Sequence, residues 1–73
     1  MAKEIVKVPI PGKILSVSAS VGSMIKEGDE ICILESMKME NPIVSPVDGK
    51  ILEISVSPGQ LVKGGDPLAI IEY

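Results

Sequence analysis

The chain has 73 residues, a formal net charge of −3 and no histidine, tryptophan or phenylalanine. A chain of this length forms one domain at most, so we expect a single domain over residues 1–73. Its acidic balance, without any run of like charge, is unlike the basic surface of a nucleic-acid-binding protein. Without histidine or a Cys/His/Asp cluster at ligand spacing, neither a metal site nor catalytic residues are expected, and a free-standing enzyme is disfavoured.

Cysteine content and hydropathy bear on the compartment. The one cysteine, Cys32, has no partner for an internal disulfide, and it lies in the apolar run of residues 31–34. We interpret it as a small buried hydrophobic residue. No apolar stretch approaches the roughly 20 residues that span a membrane, and no signal peptide is visible. We therefore expect a cytoplasmic protein without direct membrane insertion, or one in an organelle interior if the chain is a piece of a longer protein.

Eight short strands separated by turns are predicted along the chain. In chain order they are residues 5–8, 13–17, 24–25, 31–35, 41–44, 50–56, 61–62 and 68–72. β-Branched residues are frequent in these segments, and pairs such as Pro11-Gly12 and Asp48-Gly49 separate them. No ten-residue stretch free of Gly and Pro shows a helical period. The sequence therefore predicts an all-β domain, either a small sandwich or a flattened barrel.

The two halves of the chain repeat each other. When residues 9–36 are aligned with residues 46–73, 13 of the 28 positions are identical, including residues 12–15 against residues 49–52. Most other positions are apolar in both halves. Two copies of one unit predict a pseudo-twofold structure, because neither half could bury its apolar face alone.

The repeat does not explain the segment between the halves, residues 35–42. This segment follows one predicted strand and precedes the next, so the chain should reverse at Met37-Lys38. A two-residue hairpin turn favours Asn-Gly or Asp-Gly, because its central residues adopt positive φ. Met-Lys is a poor choice by that rule, and a turn that departs from turn chemistry is a candidate functional site.

Lys38 at this tip lies between Met37 and Met39, where polar turn residues would be expected. A lysine at a protruding tip is open to another protein. An ordinary lysine amine is mostly protonated near neutral pH, so its acylation needs an activated donor made by an enzyme. We interpret Lys38 as a modification target, since a catalytic lysine would be buried. A solvated turn lysine between two core methionines is the alternative.

The stretch Glu35-Ser36-Met37-Lys38-Met39-Glu40 resembles the attachment motif of biotin carboxyl carrier domains, the biotinyl members of the biotin/lipoyl attachment family. Pro11-Gly12, Val21-Gly22, Gly28-Asp29, Asp48-Gly49 and Gly64-Gly65-Asp66 extend the resemblance, which covers residues 6–72. It implies a flattened barrel of two four-stranded antiparallel sheets, a barrel-sandwich hybrid, with Lys38 on an exposed hairpin.

The resemblance also implies a carrier that is not itself a catalyst. A biotin protein ligase would join biotin to the Lys38 amine as an amide, through biotinyl-AMP. A biotin carboxylase would load the biotin with CO2 from bicarbonate, and a carboxyltransferase of a carboxylase, transcarboxylase or decarboxylase would move the carboxyl group to an acceptor. Met37 and Met39 would shape the tip and meet these proteins. The candidates for contact with the ligase or another partner are Glu35, Ser36 and Glu40.

Two departures and two alternatives qualify the resemblance. Ser36 stands where alanine is most frequent; both residues are small, so attachment should survive, although carboxyl transfer could change. Residues 18–22 leave no room for the "thumb" of some acetyl-CoA carboxylase carriers, which argues against that type. Lipoyl domains share the implied fold but typically carry Asp-Lys-Ala at the tip, so Met37 and Met39 favour biotin. An unmodified structural module, like the lipoyl-like domains of membrane-fusion proteins, is the other alternative, and it normally lacks a lysine within Met-Lys-Met.

Overall fold

Eight strands make up the regular structure of the computed structural model, which describes residues 1–73. Their bounds are β1 Lys3–Lys7, β2 Gly12–Val17, β3 Met24–Ile25, β4 Glu30–Ser36, β5 Met39–Val44, β6 Gly49–Ile54, β7 Leu61–Val62 and β8 Pro67–Glu72. Each predicted strand is present, and the all-β prediction is confirmed. No helix long and apolar enough to cross a membrane is present.

The strands form two four-stranded antiparallel sheets. The order is β1-β8-β6-β3 in one sheet and β5-β4-β2-β7 in the other. The repeat in the sequence relates β2 to β6, β3 to β7 and β4 to β8, and the same offset places β1 on β5. The order of one sheet therefore maps onto that of the other strand for strand, and the predicted pseudo-twofold arrangement is confirmed.

The core between the sheets consists of 14 buried apolar side chains. Pairs related by the repeat are fully buried together, such as Ile14 with Ile51 and Leu34 with Ile71. Cys32 is also fully buried, as predicted. Every buried side-chain nitrogen or oxygen has a hydrogen-bond partner. A 73-residue chain can bury only a small core, and the two halves of the chain contribute equally to the core of this domain.

A β-bulge interrupts each of the strands β2 and β6. The register shifts between Ile14 and Ser16 in β2 and between Ile51 and Glu53 in β6. An extra residue in a strand breaks the alternation of inward and outward side chains. The apolar residues Ile51, Leu52 and Ile54 of β6 accordingly do not follow a strict period of two.

The β4–β5 hairpin and the two chain ends lie at opposite poles of the molecule. At one pole, the end of β1 pairs with the start of β8. The chain then leads from β1 to Gly12, which lies against the carbonyl oxygen of Glu35 near the tip of β4. At the other ends of β1 and β8, Ala2 and Tyr73 exchange two backbone hydrogen bonds of 2.8 and 2.9 Å. We call the end of the molecule that carries the β4–β5 hairpin the hairpin pole, and the end where Ala2 and Tyr73 pair the terminal pole.

Candidate functional site

The chain reverses between β4 and β5 through a two-residue turn made of Met37 and Lys38, closed by the facing pair Ser36 and Met39. The φ angles are 54° at Met37 and 63° at Lys38. Positive φ at both central residues is the signature of the type I′ turn, whose twist matches that of the flanking strands. The predicted reversal at Met37-Lys38 is confirmed.

These two residues are the only non-glycine residues with positive φ in the chain. The other positions with positive φ are all glycine: Gly22, Gly28, Gly59 and Gly65. The left-handed conformation costs an L-residue about 1–2 kcal/mol. The sequence thus uses glycine at every left-handed position except the hairpin tip. Backbone strain that persists in this way is typical of functional sites.

The base of the hairpin is fixed by the core and by one side chain that sequence reasoning missed. Leu34 and Ile43, on facing strands, are buried in the core. Asn41 faces Leu34 across the hairpin, and its side-chain amide donates a hydrogen bond of 3.2 Å to the carbonyl oxygen of Met39 and lies 3.5 Å from that of Leu34. Asn41 therefore bridges the two strands. The signal for it was an asparagine within a strand segment, where asparagine is disfavoured.

The side chains at the tip point away from the rest of the protein. Met37 is 92 % exposed and Met39 is 66 % exposed. Lys38 between them is exposed as well, whereas Ser36 beneath the turn is half-buried. The structure thus brings an amine and two thioethers together on a surface that solvent and a second protein can reach.

A row of exposed side chains crosses the sheet beside the hairpin. In order across the strands, it consists of Leu61, Lys13, Glu35 and Glu40. Lys13 faces Glu35, which is favourable, but Glu35 also faces Glu40, and like charges directly opposite each other are destabilising. Two of the three predicted contact residues, Glu35 and Glu40, are therefore exposed beside the tip, and they form a like-charge pair.

The pseudo-twofold counterpart of this row lies at the terminal pole. It consists of Met24, Lys50, Glu72 and Lys3, in which charges of opposite sign alternate. Lys3 thus takes the position that Glu40 takes beside the hairpin. The same fold is therefore built without a like-charge pair in its other half, so the pairing of Glu35 with Glu40 is not required for folding.

Two other features that bear on chemistry, a surface groove and the Cys32 thiol, lie away from the hairpin tip. The larger surface groove, of about 530 Å³, lies at the terminal pole, where Met24 and Tyr73 line it. No group of three or more His, Cys, Asp or Glu side chains is placed to hold a metal ion. Burial, with a smaller contribution from the charge of Glu30, raises the pKa of Cys32 from 9.0 to about 11. Because the thiolate is the nucleophilic form, this thiol is poorly reactive.

A lysine that protrudes on a fixed, strained hairpin, with no cavity beside it, is the arrangement of a covalent carrier domain. The comparison with known families agrees. The sequence model of the family described as "Biotin-requiring enzyme", a biotin/lipoyl family, matches residues 4–71. The chain belongs to this family, and the predicted biotinyl-type carrier domain is confirmed.

Individual relatives give the same result. The chain is 55 % identical over 42 residues to methylmalonyl-CoA decarboxylase subunit gamma of Veillonella parvula, covering 58 % of this chain and 33 % of the subunit. It is 51 % identical over 37 residues to the biotin carboxyl carrier protein of Streptococcus mutans, covering 51 % and 28 %. These matches span a third or less of the relatives' length.

The fold agrees with solved structures. The urea carboxylase of Kluyveromyces lactis matches with a TM-score of 0.91 at 29 % identity, over 99 % of this chain and 6 % of that one. A single-chain, multi-domain long-chain acyl-CoA carboxylase matches with a TM-score of 0.87 at 29 % identity, over 93 % and 7 %. In both structures the matching part is a small portion of a much longer chain.

Proposed function

We propose that Lys38 is the attachment site for biotin, and that the biotinylated domain carries a carboxyl group from a biotin carboxylase to a carboxyltransferase of a larger biotin-dependent enzyme. The main support is the exposed Met37-Lys38 turn, the one place where the chain accepts positive φ without glycine. The names of two relatives, a carboxyl carrier protein and a decarboxylase subunit, support the same role. Biotin, once attached, supplies the ring nitrogen that accepts and releases the carboxyl group.

Attachment requires a partner that activates the acyl group, which we propose to be a biotin protein ligase. The Lys38 amine loses a proton and attacks the acyl carbon of biotinyl-AMP. The C–N bond forms, the bond from the acyl carbon to the phosphate oxygen breaks, AMP leaves, and the nitrogen gives up a second proton. The domain contributes an accessible amine on a backbone that the strands hold in place. The activation chemistry belongs to the ligase.

The residues around Lys38 suit contact with partner proteins. Met37 and Met39 offer apolar surface on both sides of the amine, and burying such surface stabilises a complex by about 25 cal/mol per Å². Glu35 and Glu40 lie side by side in the exposed row. A cationic group of the ligase placed between these two carboxylates would offset their mutual repulsion. Ser36, half-buried beneath the turn, would serve as a small residue that lets the strands close.

Attachment to a carrier makes each visit to a partner active site an intramolecular event when the domain is part of a larger assembly. The effective concentration of the attached group then depends on the length of the tether rather than on diffusion from bulk solution. We further propose that the domain works in the cytoplasm or an organelle interior. The unpaired Cys32 supports a reducing compartment.

The test of this function is a modification assay with the purified 73-residue domain. Incubation with a biotin protein ligase, biotin and ATP should add the mass of one biotinyl group, and peptide mapping should place it on Lys38. Lys38→Arg should stay unmodified, whereas Lys13→Arg, which changes the exposed lysine facing Glu35, should be modified fully. Modification by a lipoyl ligase alone would identify a lipoyl carrier. No modification by either ligase would leave a structural module and refute the proposal.

A second assay tests the carrier step. The biotinylated domain should support bicarbonate-dependent ATP hydrolysis by a free-standing biotin carboxylase, and the unmodified domain should not. Equal hydrolysis with both forms would show that the domain does not present the cofactor to the carboxylase.

A further inference from the structure

The sulfur atoms of this chain are distributed in an unusual way. Methionine ordinarily fills gaps in protein cores, yet none of the 14 core residues is a methionine. All four methionines are exposed: Met1 at 98 %, Met37 at 92 %, Met24 at 74 % and Met39 at 66 %. The cysteine is fully buried. An oxidant in solution therefore meets four thioethers and no accessible thiol.

The state of the thiol strengthens this contrast. Cys32 lies between the sheets, and burial raises the pKa of its thiol to about 11. Because the thiolate is the form that peroxides oxidise, Cys32 is protected both by its position and by its protonation. The oxidation chemistry of the folded domain is therefore methionine chemistry.

Two of the exposed methionines flank the modified lysine, and the other two do not. Met37 and Met39 belong to the turn at the hairpin pole, whereas Met24 lines the groove at the terminal pole together with Met1. Oxidation of Met37 or Met39 changes the surface that partner active sites meet. Oxidation of Met24 or Met1 leaves that surface unchanged.

Oxidation at the hairpin should also leave the fold intact. Destabilisation by methionine sulfoxide arises when a polar group is forced into a core, and the Met37 side chain is almost wholly in solvent. The strands beneath it are held by the buried side chains of Leu34 and Ile43. An oxidised hairpin would therefore persist on a folded domain until it is reduced, as a reversible modification requires.

We propose that Met37 and Met39 are a reversible oxidation site, and that their conversion to methionine sulfoxide by peroxides lowers the rate at which biotin carboxylase acts on the domain. This inference rests on the proposed function of Lys38. In the reaction the peroxide O–O bond breaks and one oxygen bonds to the thioether sulfur. Sulfur loses two electrons, and hydrogen peroxide is reduced to water. Methionine sulfoxide reductases, which act on the two sulfoxide epimers with a dithiol as reductant, reverse the change.

The effect on transfer follows from polarity. A thioether can be buried against an apolar surface, but a sulfoxide carries a strong hydrogen-bond acceptor that must stay paired. Burying a polar group without a partner weakens an interaction by roughly tenfold or more. We therefore expect kcat/KM for carboxylation of the biotinylated domain to fall about tenfold when both residues are oxidised.

The experiment treats the biotinylated domain with hydrogen peroxide and measures three quantities. Peptide mapping gives the oxidation of each methionine and of biotin, whose ring sulfur is also a thioether and must be unoxidised in the samples that are compared. Circular dichroism reports the fold, and bicarbonate-dependent ATP hydrolysis by biotin carboxylase gives kcat/KM. Each variant is compared with its own untreated form. Met24→Leu should lose as much activity on treatment as the wild type, because its hairpin is intact. The double variant Met37→Leu with Met39→Leu should show no further loss on treatment.

Restoration of kcat/KM by the two reductases, with an unchanged circular dichroism spectrum throughout, would complete the support. The inference is overturned if complete oxidation of Met37 and Met39 leaves kcat/KM unchanged, or if the double variant stays as sensitive as the wild type. Failure of the proposed function is distinguishable. In that case the untreated domain is not carboxylated, whatever the oxidation state of its methionines.

Discussion

Replacing Met37 by glycine should make the domain more stable. Met37 has φ 54°, and relieving a left-handed L-residue returns about 1–2 kcal/mol. Glycine in turn costs about 0.5–1 kcal/mol through the extra freedom it gives the unfolded chain. The net expectation is a gain of about 0.5–1 kcal/mol. Met37 contributes nothing to the core that would offset it, since it is 92 % exposed.

Urea unfolding followed by circular dichroism measures this gain as a rise in the midpoint at constant m-value. Met24→Gly is the matched control: Met24 is also exposed, at 74 %, but it lies in a strand with ordinary φ. Glycine there should lower the free energy of unfolding by about 0.5–1 kcal/mol. Met37→Asn, which also tolerates positive φ, should stabilise like glycine. If Met37→Gly destabilises the domain as much as Met24→Gly, the hairpin tip is not strained and our reasoning about it is wrong.

Three further changes test other parts of the structure. Gly12→Ala should lower the free energy of unfolding by about 1–3 kcal/mol, because a Cβ there would overlap the Glu35 carbonyl oxygen; Gly64→Ala, which meets nothing nearer than 3.4 Å, should be nearly neutral in the same urea assay. Since the folded pKa of Cys32 is raised, the folded state holds the thiol proton longer, so stability should decline between about pH 9 and 11. In Cys32→Ala that decline should be smaller, and an equal decline would contradict the assignment. Glu40→Lys should raise the free energy of unfolding by about 0.5 kcal/mol, because it removes the repulsion between Glu40 and Glu35. This gain should shrink in 1 M salt, and a gain of the same size at high salt would show that another cause is at work.

Much of the fold was predictable because the two halves of the chain carry the same sequence pattern. The repeat between the halves fixed the number of strands and their symmetry, and the turn glycines fixed where strands stop. The sequence could not indicate which residues face each other on neighbouring strands of a sheet. The β-bulges of β2 and β6 follow from how strands fit against each other, and no local pattern of residues encodes them.

The candidate site was also predictable only in part. Lys38 and its flanking methionines stood out because they break a local rule, the preference for Asn-Gly in a two-residue turn. The bridge made by Asn41 and the opposition of Glu35 and Glu40 did not stand out. Both depend on which residue of β5 faces which residue of β4, and a shift of register by one residue would change them.

The hydrogen-bonded ends of the chain have a mechanical consequence. The molecule measures 36 × 18 × 17 Å, and the seven residues of β4 span about 20 Å, so the strands run along its long direction. Any segment joined to Ala2 or Tyr73 would leave from the end farthest from Lys38. Such a connection would act as the pivot of a lever with the amine at its moving tip. A small rotation at the pivot becomes a displacement of many ångströms at the amine, without bending the hairpin.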